Sequence, residues 1–439
     1  MSGFSRVLAR MAPVVGVRMI AMALQFVQTF ALTRVMGVEV YGLLAVAQTV
    51  GVLALLIATF GMDKVLMRRI AGAGLDAVGR DPGWRAMLRV GLGTAGALSI
   101  ALAALGLAVF ALTDLGGVYA VPLIGAAVLA PLTVARQIIE GVIRGTLRTI
   151  RSIIASQIVF PLGMMAGAGA MWLGWAAPGA LGAAQVLVGA TALSALAGAA
   201  LLMPYIGRMR PGPGSEGARG QGESTRAIMT SGASFALVQA GFVLGPHMDI
   251  LLLGIIAGPE QAALLRVSAR MAEVMLLVRV MAVMHYGPRL AQAHGRGDQV
   301  ALHRFVREMG IVVAVTGVPI FAGMMVFAPD AMGLMGRDFI IGAPIMQIYL
   351  CGVLFTMLAG QGSDILSMCG REGLTARLLW VVLGVNLTLD LLLIPSYGAA
   401  GCATANLISM IVLGVGSCWL ARRELGVQPS PVLAALGLR

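Results

Sequence analysis

A polar stripe lies on the first long apolar stretch of the chain. Arg18, Met22, Gln25 and Thr29 are spaced i, i+4, i+7 and i+11, which places them on one face of a helix. Three of the four are polar, and a guanidinium can bind phosphate oxygens through two parallel hydrogen bonds. We therefore interpret Arg18, Gln25 and Thr29 as lining a cavity for an anionic group. The alternative is that Arg18 reaches the cytoplasmic interface while Gln25 and Gln28 bridge helices.

A second group of arginines occurs on a later apolar stretch. Arg266, Arg270 and Glu273 share one helix face, while Arg279 lies nine residues past Arg270 and about half a turn round the helix. We favour Arg270 as the deeper candidate to bind an anion and keep Arg279 as a second candidate. Two alternatives remain open: Arg270 pairs locally with Glu273, and Arg279 only extends towards the cytoplasm.

The segment "LGPHMDI" combines a proline with two polar residues inside an apolar stretch. Pro246 removes a backbone donor and kinks a helix, so we predict that it is a hinge. Asp249 follows it and is a candidate to line the same cavity; the alternative is a structural pairing. Three further polar residues on later spans are interpreted as helix–helix contacts: Asp364, Asn386 and Asp390.

Composition identifies the elements that must carry these residues. Of the 439 residues, 59% are hydrophobic and 11% are charged, against roughly 25% charged in soluble domains. A membrane span needs about 20 apolar residues, and backbone groups in lipid must bond within a helix or a closed barrel. Strict alternation typical of a barrel is absent from the sequence. We predict twelve spans near 11–33, 41–61, 90–112, 118–139, 152–174, 180–203, 229–256, 262–285, 308–328, 341–363, 375–395 and 400–421.

The basic residues predict the orientation of these spans. With the N-terminus in the cytoplasm, 25 of the 31 Lys and Arg fall on cytoplasmic segments or span ends. Only Arg34, Arg266 and Arg337 fall on outer loops or outer span ends, and the remaining three lie inside spans. This asymmetry is the positive-inside rule, so the net charge of +12 reflects orientation and contact with anionic lipid rather than nucleic-acid binding. Both termini are expected in the cytoplasm.

A glycine- and proline-rich segment divides the chain into two similar halves. We predict a lobe over 1–207, a flexible linker over 208–226, a second lobe over 227–425 and a cytoplasmic tail over 426–439. The stretch 37–44 aligns with 258–265, 69–73 with 289–293, and 179–184 with 398–403, all at nearly one offset. Six spans per half give both halves the same orientation. The predicted fold is therefore an all-α polytopic membrane protein with two six-helix lobes related by a parallel pseudo-two-fold repeat.

No feature of the sequence predicts a cofactor, a metal site or catalysis. The four cysteines, Cys351, Cys369, Cys402 and Cys418, have no paired ligand spacing and are interpreted as small apolar residues. A membrane glycosyltransferase, polymerase or ligase should need a sizeable outer loop or an acidic/basic cluster, and the predicted outer loops are short. We therefore expect a non-enzyme.

Several motifs resemble those of one known family. "RVMGVEVYG" at 34–42 resembles the R-x-L-G-x-x-x-Y-G hairpin of Wzx-type polysaccharide flippases, with Met36 in place of the leucine. "DILLLGIIAGPE", "YGPRLAQAHGRGD", "FAPDAMGLMG" and "LIPSYGAAGCATANLIS" are similar to later segments of that family. These belong to the superfamily of multidrug, oligosaccharidyl-lipid and polysaccharide exporters. The resemblance covers nearly the whole chain, but its motifs mark hairpins rather than a binding site.

The resemblance implies a function and a location. It implies a flippase of the bacterial inner membrane that moves an undecaprenyl-diphosphate-linked oligosaccharide by alternating access, for surface polysaccharide biosynthesis. Implied partners are this lipid-linked substrate, membrane lipids and a polysaccharide polymerase or ligase. Two alternatives on the same fold are a cation-coupled multidrug exporter and a lipid II flippase. The intramembrane arginines favour an anionic substrate over the cationic drugs that buried carboxylates would suit.

Overall fold

The computed structural model describes residues 3–73, 90, 93–94, 96–101, 103–104, 107–108, 111, 116–146, 149–175, 179–206 and 225–430. All regular structure in these residues is helical, which confirms the all-α class. The chain divides into two compact units, Met1–Ala240 and Gly241–Arg439. The boundary between the units lies inside a helix, whereas the predicted linker falls almost wholly outside the described residues. The predicted lobe limits stay a prediction.

Apart from scattered helical residues between 90 and 111, the described part of the first unit up to residue 206 contains six helices and a π-helical turn. They are α1 (Gly3–Thr59), α2 (Met62–Ala73), α3 (Gly116–Gly145), α4 (Thr149–Ile153), the π-helical turn (Ile154–Val159), α5 (Phe160–Trp172) and α6 (Ala180–Ile206). The next helix, α7 (Thr225–Ala257), crosses the boundary between the units.

The described part of the second unit continues with six α-helices and a 3₁₀ turn. They are α8 (Pro259–Gly295), α9 (Gln299–Val326), α10 (Ala328–Met335), the 3₁₀ turn (Arg337–Gly342), α11 (Ala343–Ala359), α12 (Gly362–Met368) and α13 (Glu372–Leu425). Among the described residues, six helices are long and apolar enough to cross a membrane, and a seventh counts if the bent α7 is one span.

Two of these helices are in fact pairs of helices joined at a glycine. α1 is interrupted at Gly37 (φ 70°, ψ −178°) and α13 at Gly398 (φ 55°, ψ −133°). The membrane-length part of α1 has 44 residues and α13 has 54, each more than twice the length of about 20 that one span needs. The predicted spans one and two, and eleven and twelve, lie on either side of these glycines. The total of twelve stays a prediction, because span three (90–112) falls largely outside the described residues.

The predicted repeat is visible in the backbone of its two hairpins. Gly258, which aligns with Gly37, has φ 95° and ψ 168° and precedes α8. Both glycines therefore occupy nearly the same region of positive φ and extended ψ, which is essentially open to glycine alone. The matched sequences 37–44 and 258–265 make the same turn in the two halves.

The core of the first unit packs α2 against α3. Met62, Leu66 and Ile70 of α2 are buried with Val134 and Ile138 of α3. Beside them Glu140 is 2% exposed and contacts two guanidinium groups, those of Arg136 at 3.2 Å and Arg144 at 3.0 Å. Arg136, Glu140 and Arg144 recur at every fourth residue, which predicts an ion-paired helix end. The pairs are present, and the carboxylate is buried.

Candidate functional site

A buried polar cluster lies in the second unit, on α7 and on both arms of α13. The Asn386 Nδ2 donates to Asp249 Oδ1 at 2.6 Å and to Asp390 Oδ2 at 2.8 Å. The Asn406 Nδ2 donates to Asp249 Oδ2 at 2.9 Å. One ligand atom each of Asp249, Asp390 and Cys402 lie within 4.8 Å of one another. All five side chains are buried, and Asp390 and Cys402 are 0% exposed.

The turn at Gly398 brings the two arms of α13 together at this cluster. Asn386 and Asp390 are one helical turn apart on the first arm, and Cys402 and Asn406 are one turn apart on the second, so each pair shares a face. Small residues let the arms approach closely, since a Cβ at Gly401 would lie 2.5 Å from the Leu393 carbonyl oxygen. Asp249 joins them from α7, about 12 Å from the C-terminal end of that helix at 1.5 Å per residue.

The cluster carries two carboxyl groups and no compensating cationic side chain among the described residues. Among the described residues, the donors to them are the neutral amides of Asn386 and Asn406 and the Cys402 thiol, and no salt bridge there involves Asp249 or Asp390. The Oδ1 of Asp390 is buried without a hydrogen-bond partner in this part of the chain. Two uncompensated buried charges are expensive. The site therefore suits a proton or a small hard cation, for which carboxylate and amide oxygens are the preferred ligands.

Two arginines of α8, Arg270 and Arg279, are held in ion pairs. The Arg270 guanidinium donates to Glu273 Oε2 at 2.6 Å, and the two side chains are 22% and 43% exposed. The Arg279 Nε donates to Asp364 Oδ2 of α12 at 2.8 Å, and its Nη2 lies 3.5 Å from Ser363 Oγ. Glu273 is the local partner that the sequence predicts as the alternative for Arg270. The pair of Arg279 and Asp364 joins α8 to α12. A role for either arginine in substrate binding stays a prediction.

The predicted stripe of α1 lies in the first unit. Arg18 is exposed, Gln25 is half-buried and Thr29 is buried at 4% exposure. The Thr29 hydroxyl donates to the Gln25 carbonyl oxygen at 3.0 Å, so the threonine is engaged within its own helix. Their role in binding stays a prediction.

A bend in α7 lies one turn before Pro246. The segments Phe235–Gly241 and Val243–Ala257 meet at 54°. The ring of a proline clashes with the carbonyl four residues earlier, and the residue four positions before Pro246 is Phe242. His247 adds a ring nitrogen 2.9 Å from the Val243 carbonyl oxygen. The proline thus has a local effect on the helix, and its role as a hinge stays a prediction.

The sequence predicts that Asp249 lines a cavity but does not predict its partners. Asn386 and Asp390 are predicted to make helix–helix contacts, which they do make, whereas Cys402 is predicted to be a small apolar residue and no prediction concerns Asn406. The available signal was two polar pairs at i, i+4 on either side of Gly398. Their convergence on Asp249 depends on the packing of three helical segments.

Two curated relatives share parts of the sequence. An uncharacterized membrane protein of Methanocaldococcus jannaschii is 24% identical over 143 residues, 32% of this chain and 28% of the relative. A probable low-salt glycan biosynthesis flippase, Agl15 of Haloferax volcanii, is 24% identical over 168 residues, 38% of this chain and 35% of the relative. The matches thus span about a third of the length of these relatives.

Solved structures share the fold over nearly the whole chain. A multidrug resistance MATE family transporter of the MOP superfamily, in an inward-facing conformation, superimposes with a TM-score of 0.67 at 14% identity and covers 92% of this chain and 94% of its own. The lipid II flippase MurJ, in an inward closed conformation, gives a TM-score of 0.67 at 12% identity, covering 92% and 87%. At such identities these likenesses establish the fold alone, which is that of MOP-superfamily transporters.

The sequence also matches a family as a whole. The family is described as "polysaccharide biosynthesis protein", and its sequence profile matches residues 8–294, about two thirds of the chain. The match includes the two hairpin motifs at Gly37 and Gly258, the polar stripe of α1 and Asp249 of the buried cluster. This multi-pass helical membrane protein belongs to the polysaccharide biosynthesis protein family.

Proposed function

We propose that the protein is a flippase rather than an enzyme. It moves an undecaprenyl-diphosphate-linked oligosaccharide across the inner membrane by alternating access, for surface polysaccharide biosynthesis, with both termini in the cytoplasm. The observation that carries the proposal is the match to the polysaccharide biosynthesis family over most of the chain. The likeness in sequence to a probable glycan biosynthesis flippase and in fold to a lipid II flippase supports the same class.

In this proposal the arginines bind the anionic part of the substrate. A diphosphate that enters a region of low dielectric needs compensating charge, and a guanidinium offers paired donors to phosphate oxygens. Arg18 of the first unit is exposed, and Arg270 of the second is 22% exposed. Glu273 is 43% exposed and can release Arg270 to a more highly charged partner.

The buried cluster is the proposed binding site of the coupling ion. Asp249 and Asp390 would hold a proton or a small hard cation with the side chains of Asn386 and Asn406. A bound cation would supply compensating charge to the two carboxylates. Because Asp249 lies on the bent α7 and its partners lie on α13, occupation of the cluster would fix these helices against each other. A gradient of that cation could thereby favour one conformation of the second unit.

A cation-coupled multidrug exporter is the second candidate function. The buried carboxylates of Asp249 and Asp390 favour it, since an exporter that exchanges cationic drugs for an ion needs acidic groups. A lipid II flippase on the same fold is a further alternative, because it too moves an undecaprenyl-diphosphate-linked sugar. Arg18 and Arg270 distinguish the classes, because a guanidinium repels a cationic drug and attracts a diphosphate.

Complementation of a deletion strain tests the proposal. Wild-type chain should restore surface polysaccharide, and the deletion strain should accumulate the lipid-linked intermediate on the cytoplasmic side. Arg18→Ala and Arg270→Ala should insert at normal levels yet lower export about 10- to 100-fold, as for lost hydrogen bonds to a charged group. Lys variants should recover part of it. Arg304→Ala, at a 74% exposed site, is the control and should export normally.

A double variant separates substrate binding from a structural pair. If Arg270 only neutralises Glu273, then Glu273→Gln should impair the protein as Arg270→Ala does, and the double variant should recover. If Arg270 binds the diphosphate, Glu273→Gln should remain active and the double variant should not. Full export by both Ala variants would reject the substrate assignment. Normal glycan together with new drug sensitivity in the deletion strain would favour the exporter.

A further inference from the structure

A pocket lies at the predicted cytoplasmic end of the second unit. It has a volume of about 440 Å³, within the range of small-molecule sites. Most of its lining is apolar: Phe355 and Leu358 come from α11, and Val415 and Trp419 come from α13. Val415 is 56% exposed and Trp419 is 57% exposed, so an elongated apolar group can enter between the two helices.

The polar wall of the pocket is built by Gln428 and Ser430, in the segment that follows α13. The Ser430 hydroxyl donates to the Leu358 carbonyl oxygen at 2.8 Å, and the Cys418 thiol lies 3.7 Å from Gln428 Oε1. The backbone of this segment crosses directly over Gly360, where a Cβ would collide with the Pro429 carbonyl. The polar wall is therefore fixed against the end of α11.

Two consecutive arginines lie at this end of α13. Arg422 lines the pocket, and the guanidinium of Arg423 lies 5.4 Å from the centre of the Trp419 ring. By the positive-inside pattern this end of α13 faces the cytoplasmic leaflet, which is the leaflet rich in anionic lipid. Tryptophan is typical of the level where acyl chains meet headgroups.

We propose that this pocket binds an anionic phospholipid of the cytoplasmic leaflet. One acyl chain lies between α11 and α13 against Phe355, Val415 and Trp419. The phosphate lies at Arg422, with Gln428 as a neighbouring polar side chain. The inference rests on the geometry of the second unit and on the predicted orientation of α13, and it does not depend on which substrate the protein moves.

Fluorescence of Trp419 tests the proposal directly. A full-length variant retains only this tryptophan, with Trp84, Trp172, Trp175 and Trp380 each replaced by Phe, and is reconstituted in phosphatidylcholine vesicles. Brominated phosphatidylglycerol is compared with brominated phosphatidylcholine of the same chain length as a quencher. We expect the anionic lipid to associate about fivefold more tightly, as for one arginine near a charged surface.

Three variants of this single-tryptophan chain locate the site. Arg422→Gln should abolish the preference for the anionic lipid, whereas Arg371→Gln, an exposed arginine outside the pocket, should keep it. Val415→Phe fills the apolar mouth and should lower quenching by both lipids. Circular dichroism and size-exclusion profiles establish that each variant is folded.

Four outcomes would overturn the proposal. The first is equal quenching by the two lipids, and the second is a preference that survives Arg422→Gln. The third is weak quenching by both that rises when residues 431–439 are removed, which would make the chain's own tail the occupant. The fourth is displacement by undecaprenyl phosphate at a lower mole fraction than by phosphatidylglycerol, which would make the pocket a substrate site.

Discussion

At the scale of the residue, one amide group connects both carboxylates of the buried cluster. The NH₂ of Asn386 has two hydrogens, and it donates one to Asp249 and the other to Asp390. It has no donor left for a third acceptor. The remaining oxygen of Asp390, its Oδ1, is the position at which a further ligand can be accommodated.

Removing either carboxylate should weaken the response of the protein to cations. Asp249→Asn and Asp390→Asn each delete one buried charge, so the fold should be more stable than wild type when no coordinating cation is present. In purified wild-type protein, replacing choline by Na⁺ or Li⁺, or lowering the pH, should raise the melting temperature by mass action. The variants should lose most of that rise.

Thermal unfolding in the same detergent measures this difference. Asp330→Asn removes an exposed carboxylate of α10 and should respond as the wild type does. If both cluster variants respond to Na⁺, Li⁺ and acid as fully as the wild type, the cluster does not bind the stabilising ion. Transport by the variants need not be known for this conclusion.

At the scale of the element, a glycine conformation defines the two repeated hairpins. Gly37 and Gly258 have positive φ with extended ψ. A Cβ at either position would meet no other atom within 4 Å, so the strain of a substitution arises from the backbone rather than from packing. The sequence predicted turns at both places, because the matched segments begin with these glycines. It did not predict the π-helical turn at Ile154–Val159, for which propensity gives no signal.

Replacing the hairpin glycines should destabilise the fold. Gly37→Ala and Gly258→Ala should each cost about 1–3 kcal/mol, as for a residue forced into a region that only glycine occupies freely. Gly51→Ala and Gly384→Ala lie inside helices with open space and are the controls; they should be neutral or stabilising. Melting temperatures in one detergent give the comparison. Equal behaviour of hairpin and helix variants would contradict the backbone argument.

Pro246 should affect motion more than stability. The carbonyl four residues before it belongs to Phe242, at the 54° bend of α7, and alanine would let a backbone hydrogen bond form there. We expect Pro246→Ala to insert normally and to melt at the same or a higher temperature, but to restore glycan export more slowly. Export at equal abundance is the measurement. A rate equal to that of the wild type would rule out the hinge.

At the scale of the whole molecule, the hydropathy of the sequence predicts the helical class, whereas the pattern of single side chains does not predict the buried cluster. Long apolar runs were sufficient for the helical class, because lipid leaves the backbone few alternatives, whereas the twelve span limits stay a prediction. The cluster around Asp249 could not be predicted in the same way. Its partners are 137 to 157 residues away along the chain, and only packing brings them together.

The orientation of the chain is directly testable. Reporter fusions after Gly116, Gly174 and Asp330 should read as external, because each follows a predicted outward crossing and few basic residues lie on that side. A fusion after Arg296 should read as cytoplasmic and serves as the opposite control. A cytoplasmic signal from two of the three external positions would contradict the twelve-span arrangement.

All members of the buried cluster lie in the second unit: Asp249, Asn386, Asp390, Cys402 and Asn406. This confinement has a consequence for the evolution of the protein. Side chains of the first unit can change under selection for a new cargo without disturbing any member of the cluster. A lineage of related proteins could therefore change its transported substrate while keeping the same proposed site for the coupling ion. In such a lineage, variation should be greater along the polar face of α1 than at the meeting point of α7 and α13.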